Sequence, residues 1–304
     1  MHLTILICTH NRSALLDRVL ISLNQAHRPA SWTVDIMVVA NACTDATATF
    51  LQNYQAQASA RDWLPLVWHA EATPGKSHAL NSAIPKLRSD LVAFVDDDHR
   101  VDKSYLVSIC QAAESYPDTA MFCGRILPDW DGSEPAWVHD TGPYRIYPLP
   151  VPRQDYGETS RPIGLEDRIP GGGNLFLKRK IFDRIGNFAV ELGPQGHNLG
   201  GGEDTDFVLR ALNTGEQLIY IPEVLQYHYV DPARLRLGYL LRKSFQRSRA
   251  GVKTRHTRAR IPLYMWRKLA TYSFHAVYSL QWNKTRFFLV RMAAVLGEMR
   301  GIHT

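Results

Sequence analysis

Between residues 3 and 127, short apolar runs rich in β-branched side chains alternate with segments whose apolar residues recur at helical spacing. The apolar runs, which predict strands, cover residues 3–9, 33–40, 64–69, 91–95 and 120–127. In the first predicted helix, Leu16, Leu20 and Leu23 fall on one face. Strands and helices that alternate in this way predict an α/β fold with a doubly wound, mostly parallel sheet.

The regular pattern stops at residue 128 and returns in a different form after residue 170. The stretch between them is rich in Pro, Gly, Trp and Tyr and has no clear period, which is typical of a functional loop. The remaining predicted elements are strands at 175–177, 218–221 and 224–229, a helix from about Glu203, and only basic helix after Pro232. We therefore divide the chain into an α/β domain, residues 1–232, and a basic amphipathic helical appendage, residues 233–304.

Three consecutive carboxylates, Asp96, Asp97 and Asp98, follow the apolar run 91–95. A run of this kind predicts a strand buried on both faces, and ligands of open α/β sheets bind beyond the carboxyl ends of such strands. Clustered carboxylates repel one another unless a cation lies between them, and oxygen ligands suit Mg²⁺ or Mn²⁺. The sequence thus favours a divalent metal that holds a phosphorylated ligand. The alternative is that the acids only solvate a turn before a helix that begins near Asp102.

Charge is divided unevenly along the chain. Residues 233–304 hold sixteen Lys and Arg and a single acid, Glu298, for a charge of +15, whereas the preceding residues carry −9. This asymmetry indicates a basic appendage that faces an anionic partner, either nucleic acid or anionic lipid. No zinc-ligand spacing or known nucleic-acid-binding motif occurs in the appendage, and its basic residues are mixed with apolar ones, so we expect no nucleic acid partner.

The four cysteines show no CxxC spacing, so we expect reduced thiols and a cytoplasmic protein. The first residues lack the basic region and the cleavage site of a signal peptide, and we expect neither a leader nor a membrane-spanning helix.

Gly75-Lys76-Ser77 invites comparison with a phosphate-binding loop. That motif requires a glycine five residues before Gly75, where this chain has Ala70, so a P-loop ATPase is not favoured. Lys76 near a helix N-terminus can nevertheless meet a phosphate, because its charge and the free backbone N–H groups both favour anions.

Five short motifs follow one another along the chain. They are Ile5–Arg12, Val38–Asp45, Gly75–Asn81, Phe94–Asp98 and Gly202–Asp204. With these motifs the chain resembles the inverting family 2 glycosyltransferases, whose nucleotide-sugar-binding fold is called GT-A. The resemblance covers about residues 3–230, and the motifs are specific only in combination.

The resemblance implies which residues bind the nucleotide sugar. These residues are Thr9, Asn11 and Arg12 after the first strand, Asn41 after the second, Lys76 and Asn81, and Asp96 and Asp97 of the acidic triplet. The loop after the second strand commonly carries an Asp pair that contacts the base. Here the pair is Ala40-Asn41, so Asn41 is the only candidate for that contact and the base stays open.

The resemblance also implies a metal and a catalytic base. Asp96 and Asp98 match the DxD motif, which holds Mn²⁺ or Mg²⁺ against the diphosphate, and His228 matches a late histidine that some members add as a ligand. Asp204 matches the general base, with Glu203 beside it on the acceptor or metal side.

The chemistry supports these roles without the resemblance. Departure of a nucleoside diphosphate needs a cation to neutralise the growing charge, and a carboxylate on the opposite side must take the acceptor proton. The alternative for Glu203, Asp204 and Asp206 is that acids in a first turn complement the helix dipole, although the preceding run Gly200–Gly202 favours more than capping.

We therefore expect transfer of one sugar from a nucleotide-sugar donor to a glycan or lipid-linked acceptor. Trp130 and Trp137 are candidates for stacking on an acceptor sugar. Aromatic and basic residues between 261 and 299 predict contact with an anionic membrane surface, which would place the protein peripherally on the inner face of the cytoplasmic membrane. The alternatives are a sugar-1-phosphate nucleotidyltransferase, which would be expected to have a Gly-rich signature after the first strand, and a basic nucleic-acid-binding protein.

Overall fold

The computed structural model describes residues 1–192, 202–253 and 261–303, and it consists of two compact units. The first, which we call the α/β unit, comprises Met1–Asp129 and Pro152–Tyr229. The second, the helical unit, comprises Trp130–Val151 and Val230–Thr304. Part of the irregular stretch that begins at residue 128 therefore groups with the C-terminal helices.

Nine strands of the described part of the α/β unit form one sheet. The strands are β1 His2–Thr9, β2 Thr33–Asn41, β3 Leu66–Glu71, β4 Leu91–Phe94, β5 His99–Val101, β6 Met121–Asp129, β7 Arg161–Ile163, β8 Leu175–Lys178 and β9 Leu218–Tyr229. The helices of this unit are α1 Ser13–Gln25, α2 Thr47–Ala58, α3 Lys76–Ala83, α4 Tyr105–Ser115, α5 Ile181–Ile185 and α6 Glu203–Asn213.

The sheet has the order β3-β2-β1-β4-β8-β6-β9-β5, and β7 pairs with β9. Parallel pairs join β1 to β2 and β4, β2 to β3, and β6 to β9, whereas β8 runs antiparallel to both of its neighbours. The predicted doubly wound α/β fold is confirmed. Its strands β1, β2 and β4 end side by side, which brings the polar residues that follow them to one edge of the sheet.

Both faces of the sheet are covered by helices. Leu3, Ile5 and Ile7 of β1 belong to the core that also contains residues of α1, α2 and α4, whereas Leu6 packs with residues of α3, α5 and α6. Because side chains alternate along a strand, a strand covered on both faces must be apolar throughout, as the run 91–95 is. Each fully buried aliphatic side chain of this kind contributes about 1.5–3 kcal/mol.

The two late strands predicted at 218–221 and 224–229 are one strand, β9. Its register with β6 shifts where Gly124 pairs with Ile221 and Arg125 pairs with Leu225. Pro222 lies in that shift, where it need not donate a hydrogen bond to the neighbouring strand. The strand therefore continues past a proline that, in the sequence, predicts the end of a strand.

Helix α3 ends at Ala83, because Pro85 lies in the 3₁₀ turn Ile84–Lys86 that follows it. One helix boundary differs from the prediction. Helix α4 begins at Tyr105, later than predicted. Strand β5 comes between the acidic triplet and α4, and its antiparallel pairing with β9 sets His99 opposite His228.

The helical unit contains α7 Leu237–Lys253, α8 Leu263–Tyr278 and α9 Trp282–His303. Met265 of α8 is buried against Val295 and Met299 of α9. A Cβ atom at Gly297 of α9 would lie 2.2 Å from the carbonyl oxygen of Phe245, so this glycine permits the close approach of α7. No helix among the described residues is both long and apolar enough to cross a bilayer.

Candidate functional site

An open cleft of about 270 Å³ lies at the carboxyl ends of β1, β2 and β4. Eight of the residues predicted for the site line it: Thr9, Arg12, Asn41, Lys76, Asp96, Asp97, Asp98 and His228. Cys8 and His10 also line the cleft. Burial raises the pKa of the Cys8 thiol to about 12, so this cysteine stays protonated and is unsuited to act as a nucleophile. The charged residues that line the cleft are the three carboxylates of the triplet, Arg12 and Lys76.

The central carboxylate of the triplet, Asp97, faces into the protein. Its Oδ2 accepts a hydrogen bond of 2.8 Å from the Thr9 hydroxyl, and its Oδ1 accepts one of 2.9 Å from Arg12. Burial raises the pKa of Asp97, and Arg12 offsets only part of that effect. Asp97 therefore joins the end of β1 to the end of β4 and fixes Arg12, whose side chain is half exposed at the cleft.

The first carboxylate of the triplet, Asp96, is paired with Lys76. The Lys76 ammonium lies 2.9 Å from Asp96, 3.6 Å from Asp204 and 4.0 Å from Glu203. Burial would raise the pKa of Asp96, but the charge and hydrogen bond of Lys76, together with His99 and His228, outweigh it and hold that pKa well below its usual range. Burial also opposes the charge of Lys76, and the three carboxylates nevertheless raise its pKa well above the ordinary value. A single ammonium thus joins the acidic triplet to the acids of α6.

Glu203 and Asp204 begin helix α6, and their surroundings differ. Glu203 is buried at 2% exposure and its Oε2 has no hydrogen-bond partner, whereas 15% of the Asp204 side chain is exposed. Burial, together with the Asp204 charge, raises the pKa of Glu203 to about 7. A Cβ atom at Gly172 would lie 2.1 Å from the Asp204 Oδ1, so the glycine makes room for this carboxylate. Of the two acids, Asp204 is the one that an external hydroxyl can reach.

Helix chemistry accounts for only one of the first-turn acids. Asp206 forms an ion pair of 2.8 Å with Arg210 one turn later on α6. The residue that caps α6, Gly202, has a left-handed backbone with φ of 117°, which requires glycine there. Gly200 and Gly201 of the same run lie outside the described residues.

The third carboxylate, Asp98, lies beside two histidines. Its Oδ1 is 3.8 Å from the Nε2 of His99 and 3.7 Å from the Nε2 of His228. One ligand atom from each of these residues lies within 4.8 Å of the others. The Nε2 of His99 is buried without a hydrogen-bond partner. One carboxylate, two imidazoles and a buried unpartnered nitrogen fit a divalent cation.

The sequence reasoning named Asp98, Asp96 and His228 as metal ligands and missed His99. Asp96 lies outside the group of three ligand atoms, and one of its oxygens is bonded to Lys76. The position of His99 directly after the triplet was visible in the sequence. Its partner His228 is more than a hundred residues away, however, and only the pairing of β5 with β9 brings the two together.

Three predicted nucleotide contacts, Asn11, Asn41 and Asn81, form hydrogen bonds to the backbone. The Asn41 Oδ1 accepts from the Gly75 N–H at 2.8 Å, and its Nδ2 donates to the Thr73 carbonyl at 2.7 Å. Asn41 lines the cleft and its amide holds the loop before α3, while its contact with a base stays a prediction.

Asn11 and Asn81 hold other loops in the same way. The Asn11 Oδ1 accepts from the Thr44 N–H at 2.7 Å, and Asn11 has a left-handed φ of 54°. The Asn81 amide bonds to both backbone groups of Phe188, at 2.8 and 2.9 Å. Neither asparagine is among the residues that line the cleft.

Within the helical unit, Trp130 and Trp137 pack with Val138 in a small apolar cluster. The Arg286 guanidinium lies 4.5 Å from the centre of the Trp137 ring. Both tryptophans are therefore packed at least in part within this unit, and their predicted stacking on a sugar stays a prediction.

Comparison with known proteins points to one family. The model of "Glycosyl transferase family 2" matches residues 4–186, more than half of the chain. A glucosyl-dolichyl phosphate glucuronosyltransferase from Haloferax volcanii is 25% identical over 158 residues, which cover 51% of this chain and 48% of that protein. The chain spans about half the length of the curated relatives it matches.

Solved structures share the fold at low sequence identity. S. aureus TarS 1-349 in complex with UDP-GlcNAc has a TM-score of 0.57 at 15% identity, covering 99% of this chain and 90% of that one. The mannosyltransferase PcManGT from Pyrobaculum calidifontis, in complex with GDP-Man and Mn²⁺, has a TM-score of 0.56 at 16% identity, covering 97% and 86%. These likenesses support the GT-A fold predicted from the sequence.

Proposed function

Because the chain belongs to glycosyltransferase family 2, we propose that it transfers one sugar, with inversion, from a nucleotide-sugar donor to a hydroxyl of a glycan or lipid-linked acceptor. The observation that carries the proposal is the arrangement of carboxylates in the α/β unit. Asp98 lies beside two histidines, Asp204 begins α6, and Lys76 joins the acidic triplet to Asp204. This arrangement offers the two groups that the displacement needs, a cation site for the leaving diphosphate and a base for the acceptor.

On the donor side, Asp98 and His228 would hold Mn²⁺ or Mg²⁺. When bound there, the cation neutralises the charge that grows on the departing diphosphate. Arg12, which Asp97 holds at the cleft, adds a second positive charge for a phosphate. Asn11, Asn41 and Asn81 contribute by fixing the surrounding loops.

On the acceptor side, Asp204 would accept the proton of the attacking hydroxyl. Its exposure permits the hydrogen-bond distance that a general base requires, whereas Glu203 is enclosed. Lys76 bonds to Asp96 and lies near Asp204, so it fixes the base relative to the donor side. A lipid-linked acceptor is suggested by the name of the Haloferax volcanii relative, which refers to dolichyl phosphate.

A screen of nucleotide sugars tests the proposed function. We expect one of a set of UDP-, GDP- and dTDP-sugars to raise the melting temperature in the presence of Mn²⁺, because a ligand at 100 times its Kd adds about 2.7 kcal/mol. Arg12→Gln should reduce the shift, whereas Arg18→Gln should not. The two side chains are 50% and 46% exposed and each pairs with an aspartate, but Arg12 lines the cleft and Arg18 does not. Failure of every nucleotide sugar to stabilise the protein would contradict the proposal.

We further propose that the helical unit binds an anionic membrane surface. Large apolar side chains of α8, of the segment that joins it to α9 and of the first residue of α9 are exposed: Leu263, Tyr264, Trp266, Phe274, Val277, Tyr278, Leu280 and Trp282. Exposed basic residues such as Arg267, Lys268 and Arg291 lie on the same two helices. Aromatic and basic side chains together suit a membrane interface, and the cytoplasmic leaflet carries the negative potential that would attract them.

Sedimentation with vesicles checks this surface. The full chain should pellet with anionic vesicles at low salt, less at high salt, and not with zwitterionic vesicles. The double variant Val277→Ser, Leu280→Ser should weaken partitioning at least 10-fold, because each inserted side chain contributes about 1.5–3 kcal/mol. Leu165→Ser, at an exposed position in the α/β unit, is the control. Unchanged pelleting of the double variant would rule out insertion at this surface.

A further inference from the structure

The histidine that follows the acidic triplet, His99, is buried at 2% exposure and is fixed by one glutamine. Its Nδ1 forms a hydrogen bond with the Oε1 of Gln226, a fully buried side chain of β9. The assignment of the Gln226 amide follows from its other partners. Its Nε2 bonds to the Phe94 carbonyl at 3.1 Å and to the Asn174 Oδ1 at 2.9 Å. These two groups only accept hydrogen bonds, and the Tyr105 hydroxyl, 2.7 Å from the same nitrogen, can also accept. The nitrogen of Gln226 must therefore face them and the oxygen must face His99.

The orientation of Asn174 is fixed independently. Its Nδ2 donates to the carbonyl oxygens of Arg125 and Val224, at 2.8 and 2.9 Å, which leaves its Oδ1 toward Gln226. Asn174 itself is completely buried. The donor and the acceptor of each amide in this network are therefore fixed. Because the Oε1 of Gln226 can only accept, His99 must donate from Nδ1.

A neutral histidine that donates from Nδ1 presents a lone pair at Nε2. The Nε2 of His99 is buried without a hydrogen-bond partner, and the carboxylates of Asp96 and Asp98 lie 3.9 and 3.8 Å from it. A carboxylate oxygen accepts hydrogen bonds and cannot satisfy a lone pair. A cation between the two groups satisfies both.

We propose that His99 is a metal ligand through Nε2, together with Asp98 and His228, and that this second imidazole makes the site prefer Mn²⁺ to Mg²⁺. Mg²⁺ takes oxygen ligands almost exclusively, whereas Mn²⁺ accepts imidazole more readily and stands above it in affinity for nitrogen donors. Gln226 supports this role, because a hydrogen-bond partner on the other ring nitrogen fixes the tautomer of a ligating histidine. The inference rests on the proposed function, since that function calls for a divalent metal at Asp98.

Metal binding to the full chain, without donor or acceptor, tests the inference. Titration with MnCl₂ and MgCl₂ should give Mn²⁺ at least a 10-fold lower Kd. Pulsed electron paramagnetic resonance of bound Mn²⁺ should detect two imidazole nitrogens. His99→Asn should leave one nitrogen and weaken Mn²⁺ binding about 100-fold, because even loss of a partner behind a ligand costs 10–100-fold. His69→Asn is the control, since His69 lies on β3 and bonds to Ser82.

His99→Gln separates ligation from a structural role. Glutamine can still bond to Gln226 and can offer an oxygen to the metal, so this variant should melt at the wild-type temperature without metal, bind Mn²⁺ through one nitrogen, and lose the preference over Mg²⁺. Detection of a single imidazole nitrogen in the wild type, or an unchanged preference for Mn²⁺ over Mg²⁺ in folded His99→Gln, would overturn only the proposal that His99 is a ligand. Absence of any Mn²⁺ binding, even with UDP or GDP added, would overturn the metal site of the proposed function as well.

Discussion

Replacing Asp204 with asparagine is expected to slow sugar transfer by about 10²–10⁴-fold, the usual cost of losing a positioned general base. Asparagine keeps the size and hydrogen-bonding capacity of the side chain, but it cannot accept the proton of the acceptor hydroxyl. Donor binding should survive, because Asp204 is neither among the residues that line the cleft nor in the group of Asp98, His99 and His228. The rate of transfer and the donor Kd, measured on the same protein, separate these effects.

Two neighbouring acids provide the controls for Asp204. Asp206→Asn, in the same helical turn, removes only the ion pair with Arg210 and should leave the rate within a few fold. Glu203→Gln should also retain most of the activity, because Glu203 is buried and its raised pKa keeps much of it protonated near neutral pH. An inactive Glu203→Gln beside an active Asp204→Asn would show that the two roles are reversed.

Local patterns in the sequence were sufficient to predict the first strands and the acidic triplet. The run 91–95 is apolar on both faces, and Asp96–Asp98 follow it at the end of β4, where the fold places its cleft. Lys76, just after a loop that contains glycine, also lines the cleft, and Asp204 lies 3.6 Å from its ammonium. In each case the chemistry depends on a short stretch of chain and on the geometry of parallel strands.

Residues whose roles depend on distant partners could not be assigned in this way. Strand β5 has only three residues, too few for a periodic signal, and His99 becomes meaningful only through Gln226 and His228 on β9. Asn41 and Asn81 were assigned to the nucleotide by motif, yet their amides bond to backbone groups of other loops. A motif identifies the segment that approaches a site, but tertiary hydrogen bonds decide which atom faces the ligand.

The second large effect is expected at Asp98. Asp98→Asn removes the carboxylate that lies 3.7 and 3.8 Å from the two histidine nitrogens, so the remaining donors should bind a divalent cation weakly. Donor turnover should fall by at least 10²-fold, because the charge on the departing diphosphate is then poorly neutralised. The fold should persist, since the bonds of Asp97 to Thr9 and Arg12 remain. Asp102→Asn, four residues later and bonded to Ser104, is the matched control.

Release of nucleoside diphosphate from the preferred nucleotide sugar, measured with and without chelation, tests the central claim most directly. We predict that EDTA abolishes release by the wild-type protein, that Mn²⁺ restores it, and that Asp98→Asn stays slow at the Mn²⁺ concentration that restores the wild type, while Asp102→Asn behaves as wild type. Full release by the wild-type protein in EDTA, or by Asp98→Asn in the same chelator, would contradict a metal-assisted transfer at this cleft.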